Sequence, residues 1–129
     1  MKSLLVALML AMASTSVMAE WHRLIEENDT TFYFDPAMVR KVENGFKALI
    51  LMDFKKSQDD GIDGFFSIET LREFDCKEKR VRTLAYLSYS MNMGAGNRVH
   101  ANSETDIWMP VSFGKINVTL MEILCDKGK

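Results

Sequence analysis

The sequence predicts an α+β domain: an antiparallel sheet of about six strands with a C-terminal helix tied by one disulfide. Three observations predict it. Apolar residues alternate with a period of two through most of the chain after residue 20. The period lengthens to that of a helix at Ile116, Leu120, Ile123 and Leu124. Only two cysteines occur, Cys76 and Cys125, and both follow an export leader.

Residues 1–19 read as that leader. Lys2 supplies the positive charge, Leu4 to Ala13 the apolar core, and Val17-Met18-Ala19 the small-residue cleavage pattern. The mature domain is expected to span residues 20–129. The apolar run is short for a bilayer span, and no later segment is apolar enough to cross one. No cysteine lies at the cut to carry a lipid, so the exported form is expected to be soluble. With 16 basic and 18 acidic side chains the full chain carries a formal charge of −2, and loss of Lys2 makes it one unit more negative. Such a balance gives no general field for nucleic acid. In an exported chain two cysteines allow one intramolecular bridge, Cys76–Cys125. Free thiols or intermolecular bonds are the alternative.

Each element has its own signal. Trp21 to Glu27 reads as a first strand, Asn28-Asp29 as a turn, and Thr30 to Phe34 as a β-branched and aromatic strand. Asp35 before Pro36 predicts one capped helical turn over residues 36–39. Asn44-Gly45 is a hairpin signal. Gly45 to Lys55 is the clearest strand, with Phe46, Ala48, Ile50, Met52 and Phe54 on one face. Ser57 to Gly64 reads as a polar loop, Phe65 to Cys76 as the next strand and Lys79 to Ser90 as a long one. In the Phe65–Cys76 strand Arg72 interrupts an otherwise apolar face. Gly94-Ala95-Gly96-Asn97 reads as a flexible hairpin turn. Arg98 to Ala101 and Asp106 to Met109 are short late strands. The helix is expected from about Lys115 to Cys125, with Ser112 as its cap and a frayed tail over 126–129.

No residue pattern requires catalysis, a cofactor or a metal. The loop from Asp59 to Gly64 is acidic but lacks calcium-loop ligands where Gly61 and Thr70 stand, so it reads as a turn. His22 and His100 are far apart in sequence and have no accompanying ligand cluster. No Gly-x-Ser-x-Gly elbow occurs, and Gly94-Ala95-Gly96-Asn97 lacks the lysine of a phosphate loop. The sequons at Asn28 and Asn117 are given no weight, and the mature-chain methionines read as core and loop filler.

Two surface features remain. Lys77, Lys79, Arg80 and Arg82 form a basic cluster, read either as a solvated strand start or as a contact for an acidic partner or polyanion. Leu49, Leu51, Leu71, Leu84 and Tyr86 recur at strand middles on the outward face of the sheet. One short helix cannot cover both faces of a sheet. Either the sheet curls on itself, or this strip is a homodimer interface or a protein-binding patch.

Laid out this way, the chain resembles the bacterial surface-adhesin E family. The resemblance is carried in order by Trp21, Phe32-Tyr33-Phe34-Asp35-Pro36, Asp53-Phe54-Lys55 and Ser67. Its most specific segment is Glu73-Phe74-Asp75-Cys76 with Arg80 and Arg82. Tyr89, Met93-Gly94-Ala95-Gly96, Trp108-Met109-Pro110-Val111 and Cys125 complete it. Two departures stand out. Phe113-Gly114-Lys115 replaces a Pro-Gly-Ser step before the helix, and the lipid-bearing cysteine of the member that names the family is absent. The resemblance implies the same sheet-and-helix fold, dimerisation, and for that member binding of host extracellular-matrix proteins. The leading reading is an exported, non-enzymatic, adhesin-like binding protein of the cell envelope with protein partners, periplasmic or secreted. A periplasmic structural or assembly protein with no host ligand is the alternative. A small hydrolase is a third, for which no nucleophile is visible.

Overall fold

The computed structural model describes residues 20–59 and 64–125. The predicted leader, most of the acidic loop that begins at Asp59, and the tail lie outside them. The sheet is antiparallel throughout. Its strands are β1 (His22–Glu27), β2 (Thr30–Phe34), β3 (Arg40–Val42), β4 (Gly45–Asp59), β5 (Gly64–Asp75), β6 (Arg80–Tyr89), β7 (Arg98–Asn102) and β8 (Met109–Pro110). The main path runs β1-β2-β4-β5-β6-β7. β3 adds to β4 and β8 adds to β6, each beside a longer neighbour. β1 and β7 end the path, so the sheet stays open and does not curl closed. The helix α1 spans Lys115–Cys125.

Local chemistry sets the turns. Asn28 and Asp29 both adopt left-handed backbone, φ 50° and 63°, as a tight β1–β2 hairpin requires. The Asp35 carboxylate accepts the amide of Ala37 at 3.0 Å and caps the turn Pro36–Met38, as the sequence predicts. Gly45 is obligatory for space: a Cβ there would collide with the Phe74 carbonyl of β5. Beyond the expected end at Lys55, β4 continues to Asp59, where Gln58 pairs with Phe65 after an irregularity. Ser57, Gln58, Asp59 and Gly64 of the expected polar loop are therefore strand, and its residues 60–63 lie outside the described ones. Residues 103–108 form no strand, and β8 begins only at Met109. The expected Ser112 cap is also corrected. A turn over Val111–Phe113 intervenes, and the Gly114 carbonyl accepts the amides of Asn117 and Val118.

The core lies between α1 and one face of the sheet. Phe34, Phe46, Ala48, Ile50, Phe74 and Val81 pack under Ile116, Leu120 and Met121. Phe46 and Phe74 stack with centroids 4.6 Å apart. Cys76 and Cys125 are bonded, with Cα atoms 5.8 Å apart, so the last residue of α1 is joined to the end of β5. Arg72, the exception in the apolar pattern, does face the helix. Its Nε donates to Thr70 Oγ1 at 2.9 Å and its Nη1 to Asn117 Oδ1 at 2.8 Å. Burial lowers its pKa to about 10, and among the described residues no carboxylate pairs with it. This explains why Asn117, polar and on the helix, is buried.

Two outcomes are expected in urea unfolding. Cys76→Ser with Cys125→Ser should lose about 4 kcal/mol, the chain-entropy estimate for a closed loop with a sequence separation of 49; a loss below about 1 kcal/mol would mean the helix is held by packing alone. Arg72→Ala should lose about 1–3 kcal/mol because Asn117 and Thr70 are left without their partner. Arg72→Met combined with Asn117→Leu should stay within about 1 kcal/mol of the parent, since apolar side chains then replace the buried charge together with its polar partner.

Candidate functional site

The face of the sheet away from α1, the outer face, is where the predicted surface residues were expected to meet. Register shows which of them do. Leu49 pairs with Leu71, and Leu71 with Ala85, so these three side chains form a row across β4, β5 and β6. The row is half-buried. The other members of the expected strip do not join it as an open patch. Leu51 is fully buried. In β6 the register passes from Thr83 opposite Arg72 to Ala85 opposite Leu71, which leaves Leu84 as the extra residue of a bulge. A bulge shifts side-chain parity. Tyr86 therefore sits opposite Thr70, on the helix-side face, and Leu87 takes the outer face beside Glu69.

The segment that covers Leu51 is the glycine-rich β6–β7 connection. It is a hairpin, as expected, but it folds back onto the outer face. Ser67, fully buried, donates to the Met91 carbonyl at 2.6 Å and accepts the Gly94 amide at 2.9 Å. Asp53 Oδ1 accepts the Met93 amide at 2.8 Å and Asn92 Nδ2 at 3.0 Å. Met93 and Gly94 both hold positive φ, 59° and 71°. A Cβ on Gly94 would press Glu69 Oε1 at 3.1 Å. The clasp leaves Met91 58% and Met93 40% exposed, so these two are not filler. The family resemblance singles out Asp53, Ser67 and Met93 to Gly96, but their role as anchor and anchored is not visible in sequence, because the partners lie 24 to 40 residues apart.

The basic cluster divides. Lys77 and Lys79 are exposed in the β5–β6 turn. Arg80 and Arg82 stand two apart on β6, opposite Asp75 and Glu73. Arg80 Nε donates to Asp75 Oδ2 at 3.0 Å; Arg82 Nε and Nη2 donate to Glu73 Oε1 at 2.9 and 2.7 Å. Both guanidiniums lie on Trp108, with Cζ 4.4 and 4.3 Å from the ring centroid. Pairing of β8 with the start of β6 brings Trp108 there.

Elsewhere, the helix-side face has an open pocket of about 470 Å³ past the area that packs against α1, lined by Phe65, Ile68, Tyr86, Ser88, His100 and Asp106 among others. Sequence reasoning missed it because the bulge decides that Tyr86 points there. His22 and His100 stand on the two opposite ends of the sheet path, β1 and β7, and do not converge. Among the described residues no group of three or more His, Cys, Asp or Glu side chains could hold a metal ion.

Two carboxylates on the outer face titrate in opposite senses. Burial raises the pKa of Glu69, opposed by the Tyr89 hydroxyl at 3.3 Å and the charge of Arg98. The native state therefore keeps a proton that the unfolded chain has released, and stability falls as pH rises above the ordinary Glu value of 4.5. The amide of Glu78, and then Arg80, lower the pKa of Asp75. Its contribution is present above its ordinary value of 3.8 and is lost as pH falls through the lowered one. Glu69→Gln should flatten stability against pH above 4.5 and leave the acid limb unchanged. A titration series of urea midpoints checks this; an unchanged slope above 4.5 would clear Glu69 of the effect.

Three solved structures share this architecture. The structure of Haemophilus influenzae protein E superposes with a TM-score of 0.64 at 12% identity, covering 88% of this chain and 89% of that one. Its crystal form II gives 0.65 at 15% identity, with 89% and 94% covered. The selenomethionine form gives 0.64 at 11% identity, with 87% and 90% covered. At these identities the likeness is one of fold. No curated protein matches the sequence. The family profile described as surface-adhesin protein E matches residues 21–126 of the 129, and the chain belongs to that family.

Proposed function

We propose that the protein is an exported, non-enzymatic binding protein of the cell envelope, adhesin-like, that engages protein partners through the outer face of its sheet. One observation carries the reading: α1 packs on the opposite face, and the outer face presents a built surface in its place. Its centre is the half-buried row Leu49, Leu71 and Ala85. One flank is the Trp108 platform with Arg80 and Arg82; the other is the clasp that displays Met91 and Met93. Aromatic, arginine and methionine side chains around an apolar centre are the composition of a recognition surface. Family membership and the leader-like first 19 residues support export, and the matrix binding that the resemblance implies for the member that names the family supplies host matrix proteins as the partner class to test. The periplasmic assembly reading is favoured by one feature, the lack of a cysteine at the predicted cleavage site. A second copy of this chain is a further occupant of the same face.

The test compares the parent with Leu49→Lys combined with Leu71→Glu. This swap places opposite charges on a directly paired site, so the sheet is kept and the apolar centre is lost. Capture on immobilised matrix glycoproteins should fall at least about tenfold, the scale of a lost interface centre. Protease added to intact cells should cleave the displayed protein. Full protection together with no matrix capture would overturn the adhesin reading in favour of the periplasmic one. Light scattering addresses the copy: a dimer mass that the swap converts to a monomer would assign the face to self-association.

A further inference from the structure

We propose that the end of the outer face built by Arg80, Arg82 and Trp108, with Lys77 and Lys79 in the adjoining turn, binds a sulfated linear polysaccharide. The inference rests on the outer face being a recognition surface and names the chemistry of one ligand for it. The arginines are the centre of the argument. Their bonds to Asp75 and Glu73 use Nε of Arg80, and Nε and Nη2 of Arg82. Both Nη groups of Arg80 and Nη1 of Arg82 make no hydrogen bond among the described residues. The carboxylates and the Trp108 ring hold the two planes, so the remaining N–H groups are aimed before any ligand arrives. Side-chain exposures of 42% for Arg80 and 30% for Arg82 keep them reachable. Lys77 and Lys79 are exposed in the adjoining turn, where they line openings beside Cys76 and Cys125.

Charge density favours a sulfated chain. Asp75 and Glu73 offset the two arginines and the exposed Glu78 stands between the two lysines, so a single anion would meet little net attraction. A chain of sulfates engages all four cations together, and release of its condensed counterions adds to binding. A sulfate ester also presents three terminal oxygens, which accept from N–H groups in two guanidinium planes. A carboxylate offers two coplanar oxygens and so meets one guanidinium plane at a time; Glu73 reaches Arg82 through Oε1 alone and Asp75 reaches Arg80 through Oδ2 alone. Lys77 and Lys79 contribute as mobile point charges, the arginines as oriented forks.

The probe is a heparin-derived octasaccharide titrated into the disulfide-intact mature protein. The chain has two tryptophans, so Trp21→Phe leaves Trp108 as the single indole reporter at the site. Saturable change of Trp108 emission is expected, with affinity falling steeply as salt rises. Two variants preserve net charge and dismantle the site. Trp108→Leu, followed by calorimetry, and Arg80→Lys with Arg82→Lys, followed by emission, should each weaken binding at least about fivefold, because oriented forks exceed point charges. Lys77→Ala with Lys79→Ala should weaken it and lower the salt slope. Parent-like affinity in both charge-preserving variants would show diffuse attraction only and overturn the proposal, as would failure of the octasaccharide to bind. Equal or tighter binding of a polyglutamate of the same length and charge would reassign the site to an acidic protein. Matrix capture that persists without octasaccharide binding overturns this inference alone and leaves the outer-face reading intact.

Discussion

The bond between Cys76 and Cys125 joins the end of β5 to the last residue of α1. A helix of 11 residues is marginal in water on propensity alone. It persists here because its C-terminus is covalently held and because Ile116, Leu120 and Met121 sit on Phe46, Ile50 and Phe74. The same shortness limits what it covers. At about 1.5 Å per residue the helix is roughly 16 Å long, whereas six strands about 4.8 Å apart span roughly 24 Å. The helix therefore leaves part of its own face open, as the Phe65–His100 pocket, and the whole outer face to other elements.

Those other elements are loops and charged side chains, and they treat the two ends of the outer face differently. At one end the β6–β7 connection is bolted down by Ser67 and Asp53 and seals Leu51. At the other, Trp108 lies over Arg80 and Arg82, each bonded to a carboxylate across the strand pair. Partly exposed ion pairs contribute about 0–1 kcal/mol each, and an exposed cation–π contact about 0.5–1 kcal/mol. Such sums are too small to hold the sheet together, which the core under α1 already does. Their consequence is orientation: the guanidinium planes and the methionines of the clasp are presented in set positions.

Much of the fold is legible in the sequence because it rests on local periodicity. The alternation from Phe46 to Phe54, the Asp35-Pro36 cap, the Asn44-Gly45 turn and the period change at Ile116 each depend on near neighbours. The outer face is less legible for the opposite reason. Whether Tyr86 joins Leu71 depends on one extra residue at Leu84, and a bulge leaves no mark in an alternating pattern that reads equally well in either parity. Leu51 looks like Leu49 in sequence and differs only because a loop some forty residues later lands on it. The basic run at Lys77 to Arg82 was visible as charge; that half of it is tied to Asp75 and Glu73 required the strand register.

This division also bears on what the family shares. Identities of 11–15% accompany TM-scores near 0.64, so few side chains can be specifying the fold in common. The determinants seen here are few and of the kind that tolerate drift: one covalent tie, a capped turn, a glycine packed against a carbonyl, and an apolar face whose volume can be repacked. The outer face divides. Its central row of Leu49, Leu71 and Ala85 lies outside the residues that carry the family resemblance, whereas its two ends are built from residues that belong to them: Ser67 and Gly94 in the clasp, and Glu73, Asp75, Arg80, Arg82 and Trp108 at the basic end. The fold alone names no ligand, so the ligand must be read from these side chains.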